Sequence, residues 1–141
     1  MVLYIEDQWD ENLFKDLQEE GFEVIVKENG DEAIKALNAH NDRIKAILLD
    51  IMMPPGEELE KIIHKLDILP RVLPGNKSGI AFLEYLRIKE IKIPVVVLTA
   101  NPVPEIEEEA VKRGVKKYIL KSSEEVSSIY IAEQIRKAIE G

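Results

Sequence analysis

The sequence of 141 residues contains no cysteine. Structural disulfides, thiolate metal sites and cysteine nucleophiles are therefore excluded. Its apolar runs are short, far below the roughly 20 residues that a membrane-spanning helix needs. The first residues also lack the basic stretch followed by an apolar one that marks a secretory signal. These absences lead us to expect a cytoplasmic protein that does not act within a membrane.

Positive charge is scarce as well. The 19 Lys and Arg residues stand against 27 Asp and Glu, and the formal net charge is −8. Nucleic-acid binding depends on clustered Lys and Arg that neutralise phosphates, so we expect proteins or small ligands as partners and no nucleic acid. The apolar share of 45% and the charged share of 33% are typical of a globular protein. The length fits one domain, and we predict a single domain over residues 1–141.

Short apolar runs alternate with segments of helical periodicity along the chain. This alternation predicts an α/β fold, with five parallel strands and helices on both faces of the sheet. The predicted strands cover residues 2–5, 22–26, 46–50, 95–98 and 115–120. Asp31 is predicted to cap the second helix, and residues 123–125 to begin the last one. The residues expected to pack that last helix on the sheet are Val126, Ile129, Ile135 and Ile139.

The connection after the third strand is unusually long. Strand-to-helix connections usually take about two to six residues, whereas here residues 55–77 separate Pro54 from the next regular helix. We interpret 55–77 as an insertion between strand three and helix three that contains one short helix. The apolar residues at helical spacing are Leu59, Ile62, Ile63 and Leu66. The other apolar residues, candidates for a partner or dimer contact, are Ile68, Leu69, Val72 and Leu73.

Polar residues stand at the C-terminal ends of four apolar runs. They are the pair Glu6-Asp7, then Asp50, Thr99 and Lys121. In an open parallel sheet, ligands bind in the crevice outside the carboxyl ends of the strands. We therefore expect an acid cluster, a hydroxyl and an amine to share one pocket.

These groups suit the chemistry of a phosphoryl group carried by Asp50. Such a group would bring nearly two negative charges beside Glu6 and Asp7, and each like-charge pair at about 4 Å costs on the order of 4 kcal/mol at an effective dielectric near 20. A divalent cation would offset this repulsion, and Mg²⁺ prefers carboxylate and carbonyl oxygens. Lys121 would supply a second positive charge, and Thr99 a hydrogen bond.

At this point the chain resembles the CheY-like receiver domains of two-component response regulators. The residues that carry the resemblance are Glu6-Asp7, Asp50-Ile51-Met52-Met53-Pro54, Thr99-Ala100 and Lys121. The resemblance covers nearly the whole chain apart from the insertion. It implies a flavodoxin-like sheet with the strand order 2-1-3-4-5.

The resemblance also implies a role for each residue in a phosphorelay. Asp50 would accept a phosphoryl group from a sensor histidine kinase or phosphotransfer protein, with Lys121 and Thr99 assisting. Asp7, Asp50 and the Met52 backbone carbonyl would ligate Mg²⁺, for which Mn²⁺ can substitute, and Glu6 would act through metal-bound water. The chain would catalyse only its own phosphorylation and dephosphorylation.

The signal would leave the site through Thr99 and Tyr118, the positions that match the switch residues. They would act on the face formed by the family's helix four, strand five and helix five. That face would bind a downstream protein target and can also form a homodimer. Because the chain ends soon after the last helix, we expect either a protein that acts by docking alone or a domain of a longer chain.

Three features depart from the family pattern: Glu6 where Asp is more frequent, Ser122 where a cis-proline is usual, and the insertion. They leave open a phosphorylation-independent pseudo-receiver that works as a protein-docking module. Two other readings fit less well. A haloacid dehalogenase-like phosphohydrolase would have a second Asp where Met52 stands, and a flavodoxin-like cofactor binder would need a phosphate-cradling loop where Glu6-Asp7 would repel phosphate.

Overall fold

The computed structural model describes residues 1–65, 77–100, 103–122 and 126–141. Five strands form one sheet in the order β2-β1-β3-β4-β5, and all neighbouring pairs are parallel. The strands are β1 (Val2–Ile5), β2 (Val24–Lys27), β3 (Ala46–Leu49), β4 (Val95–Thr99) and β5 (Lys117–Leu120). The predicted fold class and strand order are therefore confirmed.

Six helices accompany the strands in the described ranges. They are α1 (Glu11–Glu19), α2 (Gly30–His40), α3 (Gly56–Lys65), α4 (Lys77–Ile88), α5 (Pro104–Lys112) and α6 (Ser128–Glu140). Five of them belong to the regular alternation, and α3 is the short helix expected between β3 and the next regular helix. None of the helices in these ranges is long and apolar enough to cross a membrane.

The strands divide the core into two layers because alternate side chains point to opposite faces of the sheet. Tyr4 and Leu48 pack on one face with apolar residues of α1 and α6. Ile5 and Leu49 pack on the other face with α2, α4, α5 and Leu59 of α3. The three central strands, β1, β3 and β4, are buried on both faces, which leaves their carboxyl ends as the edge where polar side chains can be placed.

Helix α3 is part of the second core layer. Leu59 is fully buried, and Ile62 and Ile63 pack partly buried against the same cluster. The Gly30 N–H of α2 donates to the Pro54 carbonyl at 2.9 Å. A Cβ on Gly30 would lie 2.4 Å from a methyl carbon of Leu59, so α2 and α3 approach as closely as glycine permits. The remaining apolar residues predicted for this segment, from Leu66 onward, lie outside the described residues.

The prediction that Asp31 caps α2 is wrong. Asn29 caps that helix, because its side-chain oxygen accepts the Glu32 N–H at 2.9 Å. The Asp31 carboxylate instead accepts the N–H groups of Glu57 and Glu58, at 3.1 and 3.3 Å. Asp31 thus satisfies free donors at the N-terminus of α3, where a negative charge is also favourable to the helix dipole.

The last helix, α6, begins at Ser128. Ser127 caps α6 by accepting the Tyr130 N–H at 3.1 Å. The predicted start at 123–125 lies outside the described residues.

The face that α6 turns to the sheet was predicted only in part. Ile135 is fully buried and Val126 packs partly buried beside the same core. Ile129 and Ile139 are 62% and 40% exposed, so their assignment to the core is wrong. The helix starts at Ser128, and its buried face consists of residues that recur at helical spacing: Ile131, Ala132, Ile135 and Ala138.

Candidate functional site

The strand ends bring the predicted polar residues together at one edge of the sheet. Sheet hydrogen bonds continue past the strands, since the Asp50 N–H donates to the Ile5 carbonyl at 3.0 Å and the Lys121 N–H to the Thr99 carbonyl at 2.8 Å. Glu6, Asp50 and Thr99 are only 4%, 7% and 0% exposed. The sheet hydrogen bonds therefore fix the backbone positions of these residues, and burial restricts the conformations of their side chains.

The side chains meet around the Asp50 carboxylate. Its Oδ1 accepts the Met52 N–H at 2.9 Å and the Thr99 hydroxyl at 3.3 Å. Its Oδ2 accepts the Lys121 ammonium at 3.2 Å, and the same Nζ donates to Glu6 Oε2 at 2.9 Å. One cation thus bridges two buried carboxylates, and each Asp50 oxygen already has a donor aimed at it.

The charge of this cluster is not balanced by Lys121 alone. Burial, and then the hydrogen bond with Asp50, raise the pKa of Glu6 to about 7, although the Lys121 ammonium works in the opposite direction. Burial alone would raise the pKa of Asp50, but hydrogen bonds from Glu6 and the Met52 amide, together with the charge of Lys121, lower it. Burial and the neighbouring Asp50 thus favour the protonated form of Glu6, whereas the pKa of Asp50 is held below its ordinary value.

The other predicted metal ligands are at the surface. Asp7 is exposed, and Met52 is 49% exposed. In the part of the chain that the structure describes, no group of three or more His, Cys, Asp or Glu side chains is arranged to hold a metal ion. The structure thus brings Glu6 and Asp50 together, while Asp7 does not complete a three-carboxylate cluster with them.

The chemistry of the available donors fits a hard divalent cation. Carboxylate oxygens of Glu6, Asp7 and Asp50 and a backbone carbonyl at Met52 are the ligand types that Mg²⁺ or Mn²⁺ takes. Burial is the largest cause of the raised pKa of Glu6, and the neighbouring Asp50 carboxylate raises it further.

Tyr118 lies half-buried on β5. Burial raises the pKa of its phenol to about 12, and the negative charges of Glu107 and Asp50 act in the same direction. The switch roles of Tyr118 and Thr99 stay predictions.

The Lys121–Ser122 peptide bond is trans, because the described residues contain no cis peptide bond. This bond therefore differs from the cis bond that is usual in the receiver domains which the sequence resembles.

Sequence reasoning missed the contribution of the α4 N-terminus. The Ser78 hydroxyl and the Gly79 N–H both donate hydrogen bonds to the Ile51 carbonyl, at 3.1 and 3.0 Å. The only sequence signal for this contact is the Ser-Gly pair itself, since glycine permits a close backbone approach. The partner, 27 residues earlier in the chain, is not visible from the sequence.

Solved structures with the same fold come from bacteria and archaea. A CheY-like receiver domain protein from Methanospirillum hungatei JF-1 is 18% identical, with 99% of this chain and 92% of that chain covered and a TM-score of 0.72. A receiver domain protein from Clostridium thermocellum is 20% identical, with 99% and 93% covered and a TM-score of 0.73. The receiver domain of NtrX from Brucella abortus is 22% identical, with 99% and 98% covered and a TM-score of 0.72.

No protein-family model matches the chain, and no curated protein sequence matches it. The likeness is thus one of structure, and it shows the fold of a CheY-like response regulator receiver domain. The polar cluster lies at the carboxyl ends of the strands of that fold, the edge at which doubly wound sheets bind ligands.

Proposed function

We propose that this chain is a response regulator receiver that accepts a phosphoryl group on Asp50 from a sensor histidine kinase or phosphotransfer protein. The reaction depends on Mg²⁺, and the chain signals in a phosphorelay by changing conformation. The receiver fold supports the class of protein. The site supports the chemistry, because the buried Asp50 carboxylate faces the Lys121 ammonium at 3.2 Å and the Thr99 hydroxyl at 3.3 Å.

The proposed transfer exchanges one bond to phosphorus for another. An Asp50 oxygen attacks the phosphorus of a phosphohistidine, the donor's P–N bond breaks, and the imidazole leaves with the electron pair and takes up a proton from water. The product is an acyl phosphate on Asp50. In a separate resetting step, a water oxygen attacks phosphorus and loses a proton to solvent, the P–O bond to Asp50 breaks, the Asp50 carboxylate keeps the electron pair, and inorganic phosphate leaves.

The residues around Asp50 would position and neutralise the transferred group, which is most of what phosphoryl transfer requires. The Lys121 ammonium would pair with one phosphoryl oxygen, and the Thr99 hydroxyl would donate a hydrogen bond to another. Mg²⁺, when bound, supplies positive charge opposite the phosphoryl oxygens. The residues that would hold it are Asp7, Asp50 and the Met52 carbonyl, with Glu6 acting through water.

The proposed output runs through Thr99 and Tyr118 to the face formed by α5, β5 and α6, which are the family's helix four, strand five and helix five. That face would dock a downstream protein target and can also form a homodimer. We place the protein in the cytoplasm, with no nucleic acid as partner of this domain. We further propose a single domain over residues 1–141, with 55–77 inserted between strand and helix.

Fluorescence of Trp9 tests the proposed function. Trp9 lies two residues beyond Asp7 and contacts Phe14 edge-on, with ring centroids 5.6 Å apart. The titration adds Mg²⁺ first and then beryllofluoride, a phosphoryl mimic. We expect a saturable change with Mg²⁺ and a further change with beryllofluoride.

Two variants control this titration. Asp50→Asn removes the acceptor charge and should lose the response to beryllofluoride, whereas Asp42→Asn, at an exposed turn, should respond like the unchanged chain. The proposal would be contradicted if the fluorescence of the folded protein changed with neither Mg²⁺ nor beryllofluoride. It would also be contradicted if Asp50→Asn responded as fully as the unchanged chain.

A second candidate is a phosphorylation-independent pseudo-receiver that acts as a protein-docking module. Two observations favour it: Lys121 already bridges Glu6 and Asp50, and the described carboxylates form no three-membered metal cluster. In that case the Trp9 fluorescence of the folded chain would not respond to beryllofluoride after Mg²⁺. The titration above therefore separates the two candidates.

A further inference from the structure

We propose that Ser78 is a positioning residue that orients the Asp50 carboxylate through the planar peptide joining Ile51 and Met52. The consequence for phosphoryl transfer rests on the proposed function of Asp50. The orientation itself rests only on contacts between α4 and the loop that follows β3.

The first contacts lie at the N-terminus of α4. Ser78 is 1% exposed, and its hydroxyl donates to the Ile51 carbonyl at 3.1 Å. The Gly79 N–H donates to the same oxygen at 3.0 Å. The Ile51 carbonyl therefore has two donors from one helix, and its direction is fixed by α4 rather than by the loop.

The second contact lies on the other side of the same peptide unit. The N–H that shares a plane with the Ile51 carbonyl is that of Met52, and it donates to Asp50 Oδ1 at 2.9 Å. A trans peptide is a rigid plate whose C=O and N–H point in opposite directions. Rotation of this peptide would weaken the hydrogen bonds of the Ile51 carbonyl and of the Met52 N–H together. The donors that fix the orientation of the Ile51 carbonyl therefore also fix the Met52 N–H, which donates to Asp50.

The packing of α4 on the loop makes Ser78 the suitable place to test this connection. A Cβ on Gly79 would lie 2.5 Å from the Ile51 Cα, so the helix and the loop are already in the closest possible contact there. Changing Gly79 would therefore displace the backbone. Removing the Ser78 hydroxyl instead deletes one of the two donors and adds no atom.

The experiment compares three serine variants in the full chain. Ser78→Ala loses the hydroxyl, Ser78→Thr keeps it, and Ser128→Ala is the matched control. The Ser128 hydroxyl donates to Asp16 at 2.7 Å, between α1 and α6 on the opposite face of the sheet. Two quantities are measured: exchange of the Met52 amide by NMR, and the initial rate of phosphoryl uptake from acetyl phosphate with Mg²⁺.

In Ser78→Ala we expect the Met52 amide to exchange about five- to tenfold faster, as for the loss of one hydrogen bond. Phosphoryl uptake should slow by a similar factor, about five- to tenfold. Ser78→Thr should restore both, and Ser128→Ala should stay within about twofold of the unchanged chain. If Ser78→Ala does not fold, Ser78→Cys keeps the size with a weak donor and should show the same acceleration.

Equal Met52 exchange in the Ser78 variants and in Ser128→Ala would overturn the positioning role. Faster exchange with an unchanged rate of uptake would overturn its consequence for transfer. If the unchanged chain takes up no phosphoryl group, the proposed function fails, and the Met52 exchange still decides whether Ser78 orients the Asp50 loop.

Discussion

Replacing Leu59 by alanine tests whether α3 belongs to the folded core or is an accessory on it. Leu59 is fully buried in the same cluster as Ala33 and Leu37 of α2. Leu→Ala changes at such sites cost about 2.7–5 kcal/mol, as lost transfer free energy plus the cavity that remains. The backbone of Gly30 lies directly against this side chain, since a Cβ on Gly30 would be 2.4 Å from Leu59 Cδ1. We therefore expect a loss of about 3–4 kcal/mol of unfolding free energy.

Urea unfolding followed by circular dichroism measures this loss. Leu37→Ala, in a regular helix and equally buried, is the positive control and should cost a similar amount. Ile88→Ala, at a side chain that is 54% exposed, should stay within about 0.5 kcal/mol of the unchanged chain. A Leu59→Ala loss below about 1 kcal/mol, far under the range for buried leucines, would refute the packing of α3 in the core.

Three further predictions concern the site. Gly79→Ala places a Cβ 2.5 Å from the Ile51 Cα, and we expect it to lower the unfolding free energy by about 1–3 kcal/mol in urea; an unchanged midpoint would contradict the close approach. The pKa of Glu6 is about 7 in the folded chain against an ordinary 4.5, so the folded state holds a proton that the unfolded state releases between these values. Stability from protonated Glu6 is thus present at low pH and is lost as the pH rises toward and through about 7, by at most about 1.4 kcal/mol per pKa unit. Glu6→Gln should flatten this slope in metal-free thermal melts at varied pH, and a slope equal to that of the unchanged chain would count against the assignment. Lys121→Ala should leave Mg²⁺ binding intact while abolishing the NMR shift changes that beryllofluoride causes at Tyr118; a Lys121→Ala variant that keeps those changes would show that the ammonium does not couple the site to the switch.

The sequence predicts the sheet and the meeting of the site residues because both depend on short-range patterns. Apolar runs of strand length define the strands, and parallel order then carries Glu6, Asp50, Thr99 and Lys121 to one edge without knowledge of any contact. The burial of Glu6, Asp50 and Thr99 follows from the same pattern, since each ends or directly follows a strand that is covered on both faces.

The contacts that sequence reasoning missed join positions far apart in the chain. Asp31 lies in a pattern that fits a cap of α2, yet its carboxylate binds backbone donors of α3, 26 and 27 residues later. Ser78 likewise reaches back 27 residues to Ile51. A local pattern can show that a helix end needs a partner, but only the packing of α2, α3 and α4 decides which residue supplies it.

The most direct test of the proposed function is to locate the phosphoryl group after incubation with acetyl phosphate and Mg²⁺. Mass spectrometry of the intact chain and of its peptides gives both the extent of uptake and its position. We predict one phosphoryl group, carried by the peptide that contains Asp50, not taken up when Mg²⁺ is chelated before acetyl phosphate is added, and absent from Asp50→Asn. A folded chain that takes up no phosphoryl group, or an Asp50→Asn variant labelled at the unchanged rate, would contradict the proposal that Asp50 is the phosphoacceptor.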